Sequence, residues 1–527
     1  MQVRILLGPP RHFLLWYFQG TERDGVWKLT VREVATAPAS VAAARTRPEP
    51  QNTGIYLLIA GFGAAWWLFD LLSLGSVSAH YDLSELSEWA QHFAWGYKHP
   101  PLSAVVFGLW FAVFPRTDWA AHLLAATTIT ATLFVTWRLL CDHLDRERAL
   151  VGICSLTLVP FYTFLAIKFN VNLVLMPFWA AALLFYLRAR RTLGFVDAAL
   201  AGLFIGLAFL GKYWSIYLVM GVGAASLVGP NVSGYWRSSA PYATGVIAAL
   251  VVAPHLYWLA TGHHDALDQY VGWGLTSRSV PDISQKVFSY LAGAVAYIAV
   301  PLAFVAYLRP SRAAMMDTVV PADPTRRICV VLLIVPLLAP ILVDIIIPHR
   351  LTPLWTYPNW PLLPVVLFGS PLVEIQKGIS STRSALVTIL VTIGSLISAP
   401  FVGRQHLSDA TYLDRQHWQE LAARIQALSP KPIRSISGTA ESVLGLPFYL
   451  PETRVGAPSA ADAGEGFAIV CRSDDSSCRT IGDAAIPDRE WTETTLRRTF
   501  LGVSGPAVTY RFKVSHGEQG RNLDTRG

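Results

Sequence analysis

Charged residues are scarce in this chain. Only 15% of its 527 residues are Asp, Glu, Lys or Arg, against ~25% in a soluble globular protein. A deficit that large excludes a chain that lives wholly in water. Nucleic acid is not a partner that the net charge of +7 supports, because the basic residues fall in short loops between apolar runs and form no stripe. Cysteine is sparse, five in all, and no pair has the spacing of a structural zinc site. Cys141, Cys154 and Cys329 lie in or beside apolar runs, as packing residues do. The stretch 5–18 is interrupted by Arg11 and His12 and makes a poor signal peptide. No internal repeat of the kind built into many transporters is found.

What the sequence has in quantity is apolar runs of bilayer length. Candidate spans of roughly 17–25 residues occur at 54–72, 119–140, 149–166, 171–187, 196–210, 213–228, 240–260, 287–308, 328–347, 361–375 and 384–401. They predict a mainly α membrane protein of about eleven transmembrane helices. Eighteen Trp residues agree, since indoles favour the membrane boundary. The run 102–114 is too short to span, opens at Pro100–Pro101 and closes at Pro115, and reads as a juxtamembrane helix on or dipping into the surface. With it excluded and the N-terminus inside, Arg138, Arg146, Arg148, Arg188, Arg190 and Arg191 gather on inner loops, the positive-inside asymmetry. Counting it as a span would put the RARR run at 188–191 outside.

Three regions follow. Residues 1–53 mix charge, Pro and Ala without clear period and read as a poorly ordered extension. Residues 54–401 form the membrane domain. Residues 402–527 turn polar and suit a small soluble α/β domain, with a helix at 415–428 and strands at 433–436, 467–471 and 507–512. The span count places this domain outside, where Cys471 and Cys478 could form a disulfide.

Ionisable groups avoid the spans and collect at their outer ends, above all in the loops 73–118 and 261–286. A transporter usually places such groups within its spans, so the pattern favours surface chemistry. The first loop reads HYDLSELSEWAQHFAWGYKHPPL from His80. Asp82, Glu85 and Trp89 recur at helical spacing, as on a solvated amphipathic helix, and Asp82 is also placed to cap that helix. Asp70, near the outer end of the first span, is either a site residue or a boundary residue. For Lys168 and Lys212, which end spans on the outer side, snorkelling is a sufficient account.

The stretch from Asp82 through HFAWGYKHPPL to Leu109 resembles the first external loop of the polyprenyl-phosphate-sugar-dependent glycosyltransferases of the GT-C fold. The group is family 39-like, the protein mannosyltransferases and lipid A aminoarabinose transferases. GLAFLGKYWS (206–215) and TPLWTYPNWPLLP (352–364) are similar to later segments of that family, and SGTAESVLGLPFYL to its soluble domain. Three departures stand out. The second acid of the family's Asp-Glu pair is Leu83, so either Glu85 or Glu88 substitutes or nothing does. Lys98-His99-Pro100 replaces Lys-Pro-Pro. The outer end of the fourth span offers only Asn170 and Asn172 where many relatives have Asp.

The resemblance implies a hexosyl- or pentosyltransferase of the bacterial inner membrane, with its site on the periplasmic side. The partners it implies are a polyprenyl-phosphate sugar donor and membrane lipid. Asp82 is the catalytic base. Glu85, Tyr97, Lys98, His99 and Lys212 bind substrate, the cations beside the leaving phosphate, with Arg278 and Arg350 as weaker candidates. Every cation has lipid-headgroup contact as its alternative role. No metal or other cofactor is assigned. A divalent ion at His263-His264-Asp265 with Asp268 competes with a solvated loop, and no ligand set has diagnostic spacing. The competing class is a multi-pass transporter or lipid flippase without glycosyl transfer. A third reading, a polysaccharide polymerase or ligase, would carry its key loop later in the chain.

Overall fold

The computed structural model describes residues 53–515 other than 97, 264–267, 269–271, 273–278, 348, 430, 458–465 and 488, together with two strands further upstream. The chain forms two compact units, Met1–Leu58 and Ile59–Gly527. In the first, β1 (Leu14–Gln19) and β2 (Lys28–Glu33) pair antiparallel, with Trp16 opposite Val31 and Tyr17 opposite Thr30. The sequence reading expects no regular structure there. Aromatic and β-branched residues favour strands, but the charge, Pro and Ala around these two short runs hide the signal.

The helices are α1 (Thr53–Ser73), α2 (Tyr81–Gln91), α3 (Leu102–Val113), α4 (Asp118–His143), α5 (Arg146–Thr157), α6 (Val171–Thr192), α7 (Phe195–Gly211) and α8 (Ile216–Ser226). Then come α9 (Ala240–Ala260), α10 (Val280–Tyr297), α11 (Ala299–Tyr307), α12 (Pro324–Ile346), α13 (Leu363–Phe368) and α14 (Ile379–Ser408), with short connecting helices between some of them. Among the described residues six helices, α1, α4, α6, α9, α12 and α14, are long and apolar enough to cross a membrane, and the pair α10–α11, bent by 56°, would make a seventh.

Length and composition alone thus account for six or seven of the about eleven expected spans. The runs at 149–166, 196–210, 213–228 and 361–375 fold as the shorter helices α5, α7, α8 and α13. Each has a local cause. Pro160 opens a 3-10 turn after α5, extended backbone at Lys212 separates α7 from α8, and prolines at 353, 358 and 361 hold Pro353–Leu362 in 3-10 turns before α13. Irregular backbone among apolar helices is tolerated where protein surrounds it, and Phe161, Tyr357 and Trp360 in these breaks are buried. Hydropathy counts apolar residues and does not see such breaks.

The apolar exterior identifies the solvent. Leu386, Leu390, Ile393, Ile397 and Phe401 on the 30-residue α14 are all exposed. A band of that kind is not tolerated in water. The chain is a multi-pass membrane protein. The 102–114 run, read as a juxtamembrane helix, is helical as α3.

The C-terminal part is a small sheet domain. α15 (Trp418–Ala427) precedes β3 (Ile433–Gly438), α16 (Leu446–Tyr449), β4 (Arg454–Val455), β5 (Gly466–Arg472), α17 (Ser476–Ala485), β6 (Thr492–Phe500) and β7 (Val503–Ser515). The sheet order is β4-β3-β5-β7-β6, parallel from β4 to β5 and antiparallel beyond. Trp418, Leu421 and Ile425 of α15 pack against Ile433, Ile436, Val470 and Tyr510. A Cβ at Gly445 would lie 1.8 Å from the Trp418 ring, so that close approach needs glycine. The expected helix and three strands are present. β6 was not expected, because TETTLRRTF is polar and buries only Thr494 and Leu496. Cys471 and Cys478 form a disulfide.

Candidate active site

The first loop folds from its ends inward. His80 caps α2, its Nδ1 accepting the Asp82 N–H at 3.2 Å. That leaves the Asp82 side chain in the first helical turn and not on the cap. Helical period then divides the residues: Leu83, Leu86 and Trp89 are buried, while Asp82 and Glu85 are half-exposed. Gly96 lets the loop press onto α9, since a Cβ there would lie 2.6 Å from Trp258 and 2.9 Å from His255. Pro101 starts α3 and ends the loop.

An open cavity of about 290 Å³ lies between α2, this loop, the start of α6 and the α7–α8 break. Asp82, Glu85, Lys98, His99 and Lys212 all line it, joined by Tyr81, Trp89, Asn170, Asn172 and Trp355. Residues far apart in sequence thus meet on one wall. Tyr97 and Arg278 lie outside the described residues, as do His264 and Asp265. Arg350 is not on the wall, although its charge is felt at Lys212. Asp70 lines a separate small cavity with Trp66 and Tyr162. Among the described residues no group of three or more His, Cys, Asp or Glu could hold a metal ion.

Asp82 and Lys212 each find a neutral amide in the cavity, while Lys98 pairs with Glu85. Asp82 Oδ1 is 3.3 Å from His80 Nδ1, and its Oδ2 accepts from Asn170 Nδ2 at 3.4 Å. Asn170 Oδ1 meanwhile accepts the Asn172 and Leu173 N–H groups at 3.0 and 3.2 Å and so caps α6. Lys212 Nζ donates to Asn172 Oδ1 at 2.7 Å and sits 4.2 Å from the Trp355 ring. Lys98 pairs with Glu85 at 2.5 Å. Of the two acids that could stand in for the missing second carboxylate at Leu83, the structure brings Glu85 to the cavity wall and not Glu88.

Protonation follows from these surroundings. Burial works against the Asp82 carboxylate, but His80, the Lys168 charge and the Asn170 amide outweigh it and hold its pKa below the ordinary value. Burial, with the Lys212 and Lys98 charges, pulls His99 down to about 3, so it offers a hydrogen bond and no charge at neutral pH. Burial, then the Arg350 charge, lowers Lys212 to about 7.

His255, which sequence reading passed over, ties two parts of the wall together. Its Nδ1 is 2.6 Å from the Trp95 carbonyl and must donate to it. In the neutral ring Nε2 then accepts from Tyr213 OH at 3.0 Å. One buried imidazole on α9 therefore links the loop carrying Lys98 to the turn carrying Lys212. Its only sequence signal was a histidine inside an apolar run.

Residues 98–258 match the family model described as dolichyl-phosphate-mannose-protein mannosyltransferase. No curated protein sequence matches the chain. Among solved structures, ArnT from Cupriavidus metallidurans bound to undecaprenyl phosphate superposes with a TM-score of 0.60 at 14% identity, covering 88% of this chain and 98% of that one. The apo form of the same protein gives 0.58 at 13% identity with the same coverage. The chain shares the fold of ArnT.

Within this fold Asn170 and Asn172 contact Asp82 and Lys212 through neutral amides. A carboxylate at 170 would face Asp82 with like charge, whereas the amide donates to it. Replacing Asn170 by Asp is therefore expected to raise the Asp82 pKa by about one unit or more. The check is the pH dependence of carbodiimide labelling at Asp82, read by mass spectrometry. An unchanged midpoint would contradict the account.

Proposed function

We propose that this chain is an integral-membrane glycosyltransferase that moves a sugar from a polyprenyl-phosphate donor to an acceptor hydroxyl on the extracytoplasmic face, inverting the anomeric centre. The observation that carries the reading is that Asp82 and Lys212 share one cavity without pairing, in a GT-C fold. ArnT, whose structure holds undecaprenyl phosphate, supports a lipid-linked donor. So does the mannosyltransferase family model over the segment that bears Lys98, His99 and Lys212.

The acceptor oxygen attacks the anomeric carbon while the bond from that carbon to the phosphate oxygen breaks. The hydroxyl proton passes to the Asp82 carboxylate, which is ionised over the physiological range. The donor phosphodiester carries one negative charge and leaves as a monoester with a second. Lys212 meets that developing charge from a buried position, where a cation acts more strongly than in water. His99 adds a hydrogen bond. Lys98, compensated by Glu85, serves position more than charge. A single displacement with one carboxylate and no covalent intermediate inverts the configuration.

Three outcomes are expected. Asp82→Asn lowers transfer from defined undecaprenyl-phosphate sugars in membranes by about 10²–10⁴-fold at normal protein level; full activity would remove Asp82 from the mechanism. Lys212 is cationic below its pKa of about 7 and neutral above it, so the donor KM rises as pH passes upward through neutrality. Lys212→Arg, whose guanidinium stays charged, flattens that rise, and a flat wild-type profile would speak against a phosphate role for Lys212. Glu420→Cys, on an exposed position of the C-terminal domain, reacts with an impermeant thiol reagent in intact cells, whereas labelling only after lysis would reverse the orientation.

A further inference from the structure

The C-terminal sheet domain grips the catalytic loop on both sides of Asp82. Before it, Arg498 Nη2 donates to the Gly75 carbonyl at 2.8 Å. Arg415 and Ser78 exchange two hydrogen bonds, Ser78 N–H to the Arg415 carbonyl at 2.9 Å and Arg415 Nε to the Ser78 carbonyl at 2.7 Å. The next residue, Ala79, points its N–H at both Asp118 Oδ1, 2.9 Å away, and Tyr449 OH, 3.0 Å away, while Tyr449 OH itself donates to Asp118 Oδ1. After Asp82, Ser87 Oγ donates to the Pro447 carbonyl at 2.9 Å, and the Glu452 N–H donates to Gln91 Oε1.

These contacts are placed for more than attachment. Ser78 and Ala79 directly precede His80, which caps α2 and touches Asp82. The backbone of that segment has no helix or strand of its own to hold it. Its polar groups are satisfied by the sheet domain and by Asp118 at the start of α4. Burial and the Asp118 charge push the Tyr449 phenol well above its ordinary pKa, so it remains a donor at any physiological pH.

We propose that the C-terminal domain is a clamp that sets the position of the Asp82 carboxylate, with Tyr449 and Arg415 as positioning residues acting through Ser78 and Ala79. The assignment of a catalytic consequence rests on the glycosyl-transfer reading; the clamp itself does not. Displacement of a reacting group by as little as 1 Å costs about a hundredfold in rate. Loss of one hydroxyl at this junction is therefore expected to show in turnover and not in donor affinity.

The test compares Tyr449→Phe, which keeps the ring and removes the hydroxyl, with Ile469→Ala, a cavity at a residue 1% exposed in the Phe467–Ile486 cluster, apart from the cluster that Tyr449 packs against. The full-length protein is used in lipid nanodiscs. Backbone hydrogen exchange at 80–86 should quicken about tenfold in Tyr449→Phe and stay unchanged in Ile469→Ala, although the second variant has the lower Tm. With undecaprenyl-phosphate mannose and undecaprenyl-phosphate aminoarabinose as probes, Tyr449→Phe should lose about ten- to a hundredfold in kcat, with KM within about twofold. Should Tyr449→Phe fail to accumulate, Arg415→Lys is read in the same way. Unchanged exchange at 80–86, or equal changes in the core variant, overturns the clamp. Faster exchange in a protein whose wild type transfers no sugar upholds the clamp and counts against the function.

Discussion

Everything in the site depends on keeping one carboxylate and one buried ammonium in the same cavity without letting them neutralise each other. Two asparagines at the start of α6 do this. Asn170 donates to Asp82 and Asn172 accepts from Lys212, and both belong to the turn that Asn170 caps. A direct ion pair would satisfy both charges and leave neither available for a proton or a phosphate. The neutral amides satisfy them separately, and the Trp355 ring offers Lys212 a cation–π face.

The price of such an arrangement is structural support from several directions. His255 joins the Lys98 loop to the Lys212 turn through both ring nitrogens. The segment before Asp82 is held by Arg415, Tyr449 and Asp118. The breaks that shorten α5, α7, α8 and α13 belong to the same logic. The interruption at Lys212 puts a buried cation at the cavity wall, and the Pro-rich 3-10 segment before α13 presents Trp355 there.

Much of this was legible in the sequence, for reasons that differ by residue. Asp82, Glu85, Lys98 and His99 lie within one helix and its loop, so local spacing groups them, and the resemblance to GT-C enzymes adds Lys212. The polar turn of the chain at 402 and the Cys471–Cys478 pairing followed from composition and compartment. The rest was hidden because it depends on long-range contact. Asn170 and Asn172 read as missing acids until their partners across the cavity were visible. His255 read as part of a span, and Trp355 as one aromatic among many. Sequence grouped His99 with the two lysines and does not register the burial that lowers its pKa to about 3. Composition also does not register where proline and extended backbone interrupt apolar runs, as at Pro160, Lys212 and 353–361.

The most direct measurement is a cryo-electron microscopy structure of the full chain with undecaprenyl phosphate in lipid nanodiscs. The account predicts phosphate oxygens within about 4 Å of Lys212 Nζ, a hydrogen bond from His99, and Asp82 facing the open side of the phosphate where a sugar and an acceptor would meet. A lipid phosphate seated away from this cavity, or Asp82 turned to pair with Lys212 in its presence, would contradict it.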